Sequence, residues 1–388
     1  MTTYDVAIVG ARPAGAATAL LLARAGHRVV VVDRDRYGTD TLSTHALMRG
    51  GVVQLYRWGV LDRIVDMGTP AIRRVRFDYA GAVADLRLDA PLYAPRRTVL
   101  DSVLVDAARE AGADVRFGVG VTGVTRDADG VSGLVIRDRA GTSSTIDAAV
   151  TVGADGRRST IARAVDAPVT RTGTAATGLI YGHFDDVPAD GYEWYFNADS
   201  GAGVIPTNDG RVNVFAGAPS ARFDAGLLRD LPATFHGLLR GLSPVLADRV
   251  AAGTLQGPLR GFPGEVGWVR RPFGPGWALV GDSAYFKDPI TAHGMTDALR
   301  DAELLARALD EGLRGVLPMQ AALAGYERVR DDLSWTLFET TDAIAGHGRS
   351  MPELQKLHRQ LSRELNAEAK FLEGLGPLPA RAPALAAA

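Results

Sequence analysis

The 388-residue sequence contains no cysteine, which excludes disulfides, thiolate metal sites, a cysteine nucleophile and a cysteinyl link to a cofactor. It lacks a charge excess: 43 basic residues stand against 45 acidic ones. No basic tract or basic–aromatic patch points to nucleic acid. Long apolar runs are missing too. The stretch from Val6 to Val32 is broken by Arg12, Arg24, His27 and Arg28, so it does not read as a membrane span. The first strand begins at Tyr4, which leaves no room for a secretory signal, and a soluble cytoplasmic protein is expected. No metal site is expected either.

What is present is an ordinary globular composition, 46% hydrophobic, in a chain long enough for two domains that share a cofactor. Residues 4–9 read as a buried parallel strand. The turn Gly10-Ala11-Arg12-Pro13-Ala14-Gly15 follows, then an Ala/Leu-rich helix, a stop at Gly26 and a β-branched strand ending at Asp33. In such a unit Gly10 permits the tight turn and Gly15 lets helix pack on strand. The helix N-terminus faces a pyrophosphate, and the terminal acid accepts from ribose hydroxyls. Arg12 stands where the second glycine of G-x-G-x-x-G belongs; it restricts backbone approach but adds a cation. Gly118-Val119-Gly120-Val121-Thr122-Gly123 also satisfies that pattern, yet a hairpin signal follows instead of a helix, so no second nucleotide fold is expected.

Two further glycine segments complete the set. A strand over 146–152 ends at Gly153-Ala154-Asp155-Gly156, ahead of a helix that Ser159 can cap. A strand over 277–280 ends at Gly281-Asp282, and Pro289 precedes a loop closed by Gly294 before a long helix. Asp282 can accept from ribityl hydroxyls. The amides of Gly294, Met295 and Thr296 can face the carbonyl edge of an isoalloxazine, where charge gathers on reduction. Together the three segments predict an FAD site. Between 167 and about 261 the pattern turns strand-like, which predicts an inserted antiparallel sheet whose aromatics face a ligand or simply pack. The expected organisation is an FAD domain over 1–166 and 263–345, a substrate sheet over 167–262, and a helix with a frayed Pro/Ala tail (377–388) within 346–388.

This set resembles the p-hydroxybenzoate hydroxylase superfamily of FAD monooxygenases, whose relatives include geranylgeranyl reductases and flavin halogenases. The resemblance covers roughly residues 4–345 and implies a Rossmann-like α/β FAD domain. It implies cofactor contacts from Gly10, Arg12, Ala14, Gly15, Asp33, Arg34, Asp155, Asp282, Pro289, Gly294 and Met295. It places Arg49, opening a helix, against the pyrophosphate, Arg97 against the flavin phosphates and ribityl chain, and Val121 beneath the adenine. Tyr285 stands where many members have histidine, and the usual Pro-Pro is Asp288-Pro289. The implied activity is NAD(P)H-dependent hydroxylation or epoxidation of a hydrophobic aromatic or polycyclic molecule, with O₂ as co-substrate and a flavin C4a-hydroperoxide as oxygen donor, in secondary metabolism. Reduction of an isoprenoid double bond and non-catalytic flavin binding are the alternatives. Substrate neighbours are expected among His45, Tyr181, His183, Trp194, Phe196 and His293; none of them declares itself a catalytic base.

Overall fold

A computed structural model describes residues 4–223 and 229–378; most of the expected frayed tail lies outside them. The strand Val29–Asp33 is buried at every position, as a strand covered on both faces must be. It lies parallel to Tyr4–Val9, which lies parallel to Ser143–Gly153 on its other side. Asp114–Phe117 and Trp277–Leu279 extend this parallel sheet at its two ends. Helix Pro13–Arg24 is buried along almost its whole length and is packed between helices Gly294–Leu313 and Arg97–Glu110. The second glycine match does lead into a hairpin, Gly120–Asp127 with Gly130–Arg137.

The other sheet runs in the order Thr254–Phe262, Thr177–Asp185, Val212–Pro219, Gly201–Pro206, Tyr192–Phe196, Ile72–Tyr79, Ala82–Leu92. Its last two strands correct the expected organisation. They come from within 1–166, so the boundary at 166 does not separate the two sheets. Ile72–Tyr79 joins Tyr192–Phe196 in parallel, the one parallel pairing in an otherwise antiparallel sheet. Two helices fall in the region read as strands, Leu231–Leu242 and Pro244–Ala251, capped by Asp230 and Ser243. Their Phe235, Leu239 and Val250 pack on Ile180, Phe184 and Val214 of one sheet face. The opposite face, with Tyr181, Trp194 and Phe196, meets Leu354 and Leu361 of the last helix. That helix, Met351–Glu373, packs on Arg49–Arg57 and on Met319–Ala345. Among the described residues no helix is long and apolar enough to cross a membrane.

Candidate active site

The three glycine segments, far apart in sequence, converge on one cavity of about 680 Å³. Adjacent strand ends bring the first two together: the Ala154 amide donates to the Val9 carbonyl at 2.8 Å. The approach is so close that glycine is required. Gly10 has φ +102°, and a Cβ on it would lie 2.4 Å from the Ala154 oxygen; one on Gly15 would lie 1.9 Å from the Gly10 oxygen. Gly281, at φ +64°, leaves only 2.9 Å between its ideal Cβ and that of Ala14. The third segment therefore closes directly on the helix start.

Gly10, Arg12, Ala14, Asp33, Arg34, Arg97, Val121, Asp155, Asp282, Pro289, Gly294 and Met295 all line the cavity. Gly15 does not; it acts by letting helix and strand ends touch. Asp33 is buried and accepts from the amides of Ala11 at 2.7 Å and Asp35 at 2.8 Å, which fixes the carboxylate at the C-terminal end of its strand. Asp155 accepts from Ser159 Oγ at 2.5 Å and the Thr160 amide at 2.6 Å, while Ser159 caps its helix through the Ala162 amide.

The arginine in the glycine position points sideways. Arg12 Nη1 donates to Asp101 at 2.9 Å and to the Thr39 carbonyl at 2.8 Å, and Nη2 pairs with Asp35. Burial lowers its pKa, but Asp101 and Asp35 more than reverse this. Asp101 is also held by both arms of Arg97, at 2.9 and 3.0 Å. Arg12 thus ties the 35–39 loop to helix Arg97–Glu110, and Arg97 holds Asp101 in place within that helix. Arg49 corrects the expectation: it does not line the cavity but pairs at 2.9 Å with Glu373, and both side chains are about half-exposed.

The third segment carries the groups most open to a ligand. Asp282 has no hydrogen-bond partner among the described residues. Burial pushes its carboxyl up to about 6, against the pull of Arg157 and Arg97. Asp288, next to Pro289, accepts from the amides of Thr177 at 2.6 Å and Ile290 at 2.9 Å; burial raises it to about 7. It ties the loop before the long helix to strand Thr177–Asp185 of the substrate sheet. An ideal Cβ on Gly294, at the start of that helix, meets nothing within 4 Å, so no protein atom demands glycine there.

On the sheet side the wall is formed by Ala46, Leu179, Tyr181, Phe262, Phe286 and Ala292, with the Arg157 guanidinium 4.7 Å from the Phe262 ring and 5.3 Å from the Phe286 ring. The Tyr181 hydroxyl accepts from the Ser43 amide at 3.4 Å, and burial raises its pKa. Of the six expected substrate neighbours only Tyr181 reaches the cavity. His45 and His183 pair behind it, Nε2 to Nε2 at 2.7 Å; burial lowers both, His183 to about 4. The Phe196 ring lies 4.5 Å from that of His358 on the last helix, tilted by 50°, and Trp194 packs edge-on against Tyr192 and Phe215.

His293 lies behind the wall, its Nε2 2.8 Å from Glu368. Glu368 also accepts from Arg300 at 2.8 Å, and Arg300 pairs with Asp301 at 2.7 Å and Asp297 at 3.1 Å. His293, Asp297 and Glu368 bring ligand-type atoms within 4.8 Å of one another, but Arg300 and Lys287 already engage the carboxylates that a metal ion would need. Sequence reading missed this network because Glu368 lies far along the chain from its partners.

A carboxylate without a protein donor, a glycine with open space at a helix N-terminus and an acid at the C-terminal end of an interior strand fit a flavin dinucleotide, by its ribityl hydroxyls, ring edge and ribose in turn. Fold and site define an FAD-dependent oxidoreductase. The chain belongs to the family described as "FAD binding domain", whose model matches residues 3–224. It is 28% identical over 338 residues to a menaquinone reductase of Mycolicibacterium smegmatis, covering 80% of this chain and 77% of that one. It is 25% identical to a rifampicin monooxygenase of Rhodococcus hoagii, covering 88% and 71%. In fold it matches Pseudomonas aeruginosa PqsL, solved with 2-aminobenzoylacetate, at TM-score 0.77 and 23% identity, covering 94% and 100%.

The open carboxylate gives a signed pH dependence. Hydroxyl donors favour ionised Asp282, so FAD affinity is expected to hold above pH 6 and to fall as the pH drops through about 6. Asp282→Ala should weaken binding by about 1.5–3 kcal/mol for each hydrogen bond lost and flatten the profile. Fluorescence titration of apoprotein with FAD between pH 5 and 8 measures both. Unchanged affinity in the variant would move the ribityl chain elsewhere.

Proposed function

We propose that the protein is an NAD(P)H-consuming FAD monooxygenase that hydroxylates or epoxidises a hydrophobic aromatic or polycyclic molecule. One observation carries the reading: the wall of Leu179, Tyr181, Phe262, Phe286 and Ala292 is continuous with the turn at Pro289 and Gly294. A ring seated there would lie beside the flavin edge. Bound FAD would supply the redox chemistry between NAD(P)H and O₂.

The protein's part is binding and exclusion. Gly10, Ala14 and the start of helix Pro13–Arg24 face the pyrophosphate, with Asp33 at the ribose and Asp282 at the ribityl chain. The amides at the head of helix Gly294–Leu313 face the ring where charge gathers. Tyr181 keeps its proton and can donate to a substrate oxygen. The single dinucleotide fold supports a nicotinamide nucleotide that binds transiently and leaves.

The reductase relative, together with the resemblance to geranylgeranyl reductases, supports a second reading, reduction of an isoprenoid double bond, which the same cavity would serve. Turnover under ¹⁸O₂ separates the two. The monooxygenase is expected to place one labelled oxygen in its product and to accelerate flavin reduction when substrate is present. Conversion without oxygen, or an unlabelled product, overturns this reading in favour of the reductase.

A further inference from the structure

One buried charge pair on the cavity wall is left unused by these roles. Lys287 precedes Asp288-Pro289, and its side chain is 3% exposed. Its ammonium is bonded to Asp297, in the first turn of helix Gly294–Leu313. Both residues line the cavity. Behind Asp297 stand Arg300, at 3.1 Å, then Asp301, Glu368 and His293, and none of these four lines the cavity. The Tyr285 ring lies 5.2 Å from the Lys287 ammonium and 5.6 Å from the Arg300 guanidinium.

Burying a lysine is costly, and burial lowers its pKa despite Asp297. Arg300 is shared among Asp297, Asp301 and Glu368, so Lys287 is the cation that Asp297 has to itself. Of the two cations only Lys287 lines the cavity, where water screens its charge little.

We propose that the Lys287–Asp297 pair sets the electron affinity of the flavin, with the Lys287 ammonium as counter-charge to the reduced ring and Asp297 as its restraint. A hydride from the nicotinamide nucleotide brings two electrons and one proton to a neutral ring and oxidises the nicotinamide. The ring is left with one negative charge, which a neighbouring cation stabilises. The inference rests on the ring lying beside Pro289 and Gly294, as proposed above.

The test uses FAD-loaded Lys287→Met, Lys287→Arg and Asp297→Asn proteins. Sulfite adds its electron pair to ring N5, bleaches the visible band and leaves an anionic adduct, so it reports the same charge without turnover. Lys287→Met is expected to raise the sulfite Kd at least about tenfold, the order expected of a unit charge some ångströms away. It should move the two-electron equilibrium against a reference dye toward the oxidised ring by a similar factor, about 30 mV. Near-isosteric Asp297→Asn should shift both readouts the opposite way, and Lys287→Arg should stay close to the parent protein. Shifts of the same sign in Lys287→Met and Asp297→Asn would mean a merely structural pair and overturn the proposal. Sulfite affinity unchanged in Asp297→Asn would do so as well, even if Lys287→Met fails to fold. Failure of the underlying site shows separately, as unaltered FAD affinity in Asp282→Ala.

Discussion

Gly15→Val is expected to give protein that is colourless and largely insoluble. The reason is backbone geometry, not side-chain bulk alone. A Cβ at this position falls 1.9 Å from the Gly10 oxygen and 3.1 Å from the Ala154 Cβ, so the first carbon already displaces helix Pro13–Arg24 from two strand ends. That helix is buried almost throughout, and moving it unpacks both neighbouring helices. The loss belongs with the largest single-substitution effects, roughly 4 kcal/mol or more. Gly15→Ala should be nearly as damaging, which separates this cause from ordinary overpacking. Soluble yield and flavin absorbance per chain decide it. Yellow, soluble Gly15→Ala protein with full FAD content would refute the close approach.

The second large effect is expected at Glu368, in a helix remote from the glycine turns. Its side chain is fully buried and receives both His293 and Arg300 at 2.8 Å. Burial alone would raise this carboxyl, but His293, Arg300 and Lys287 hold it well below its usual range. Removing one partner of a buried ionic network typically costs about 3–5 kcal/mol, because the remaining charge stays buried. Glu368→Ala should therefore lower the denaturant midpoint substantially, and Glu368→Gln by less. The pH sign follows from the depressed carboxyl. Its contribution is complete above the unfolded value of about 4.3 and is lost as the pH falls through the lower folded value. Asp282 and Asp288, raised to about 6 and about 7, act the other way, whereas the buried imidazoles of His183, His347 and His358, lowered to about 4, add stability as the pH rises from about 4 to 6.5, so the Glu368 contribution is read from the difference between variant and parent protein at each pH. A midpoint for Glu368→Ala equal to that of the parent protein would show that the network contributes nothing net.

The glycine segments were legible because each is local: a strand, a turn of forced geometry and a helix follow one another within some twenty residues. That was enough to place Asp33, Asp282 and Gly294 on one cavity. The directions of long side chains were not legible. Arg12 and Arg49 both looked like phosphate ligands, but Asp101 and Glu373, brought near only by folding, claim them. Trp194 and Phe196 looked like a substrate wall, but the last helix covers that sheet face with Leu354, Leu361 and His358. Strand Ala82–Leu92 shows no alternation because nearly every residue is exposed. Helices Leu231–Leu242 and Pro244–Ala251 did carry a readable signal, Asp230 and Ser243 each followed closely by proline, which the surrounding strand pattern obscured.

The parallel pairing of Ile72–Tyr79 with Tyr192–Phe196 constrains how this chain can be built. The substrate sheet cannot be completed during synthesis until a stretch over a hundred residues downstream has left the ribosome. The nucleotide sheet waits longer still, for Trp277–Leu279. The hairpin Ile72–Leu92 must therefore spend that interval with both edges open, a period in which a chaperone or a neighbouring nascent chain can reach it. The same arrangement governs recombination between relatives. A chimera that exchanges residues 177–262 alone separates a strand from its partner, and an exchange that keeps the sheet whole must carry residues 72–92 as well.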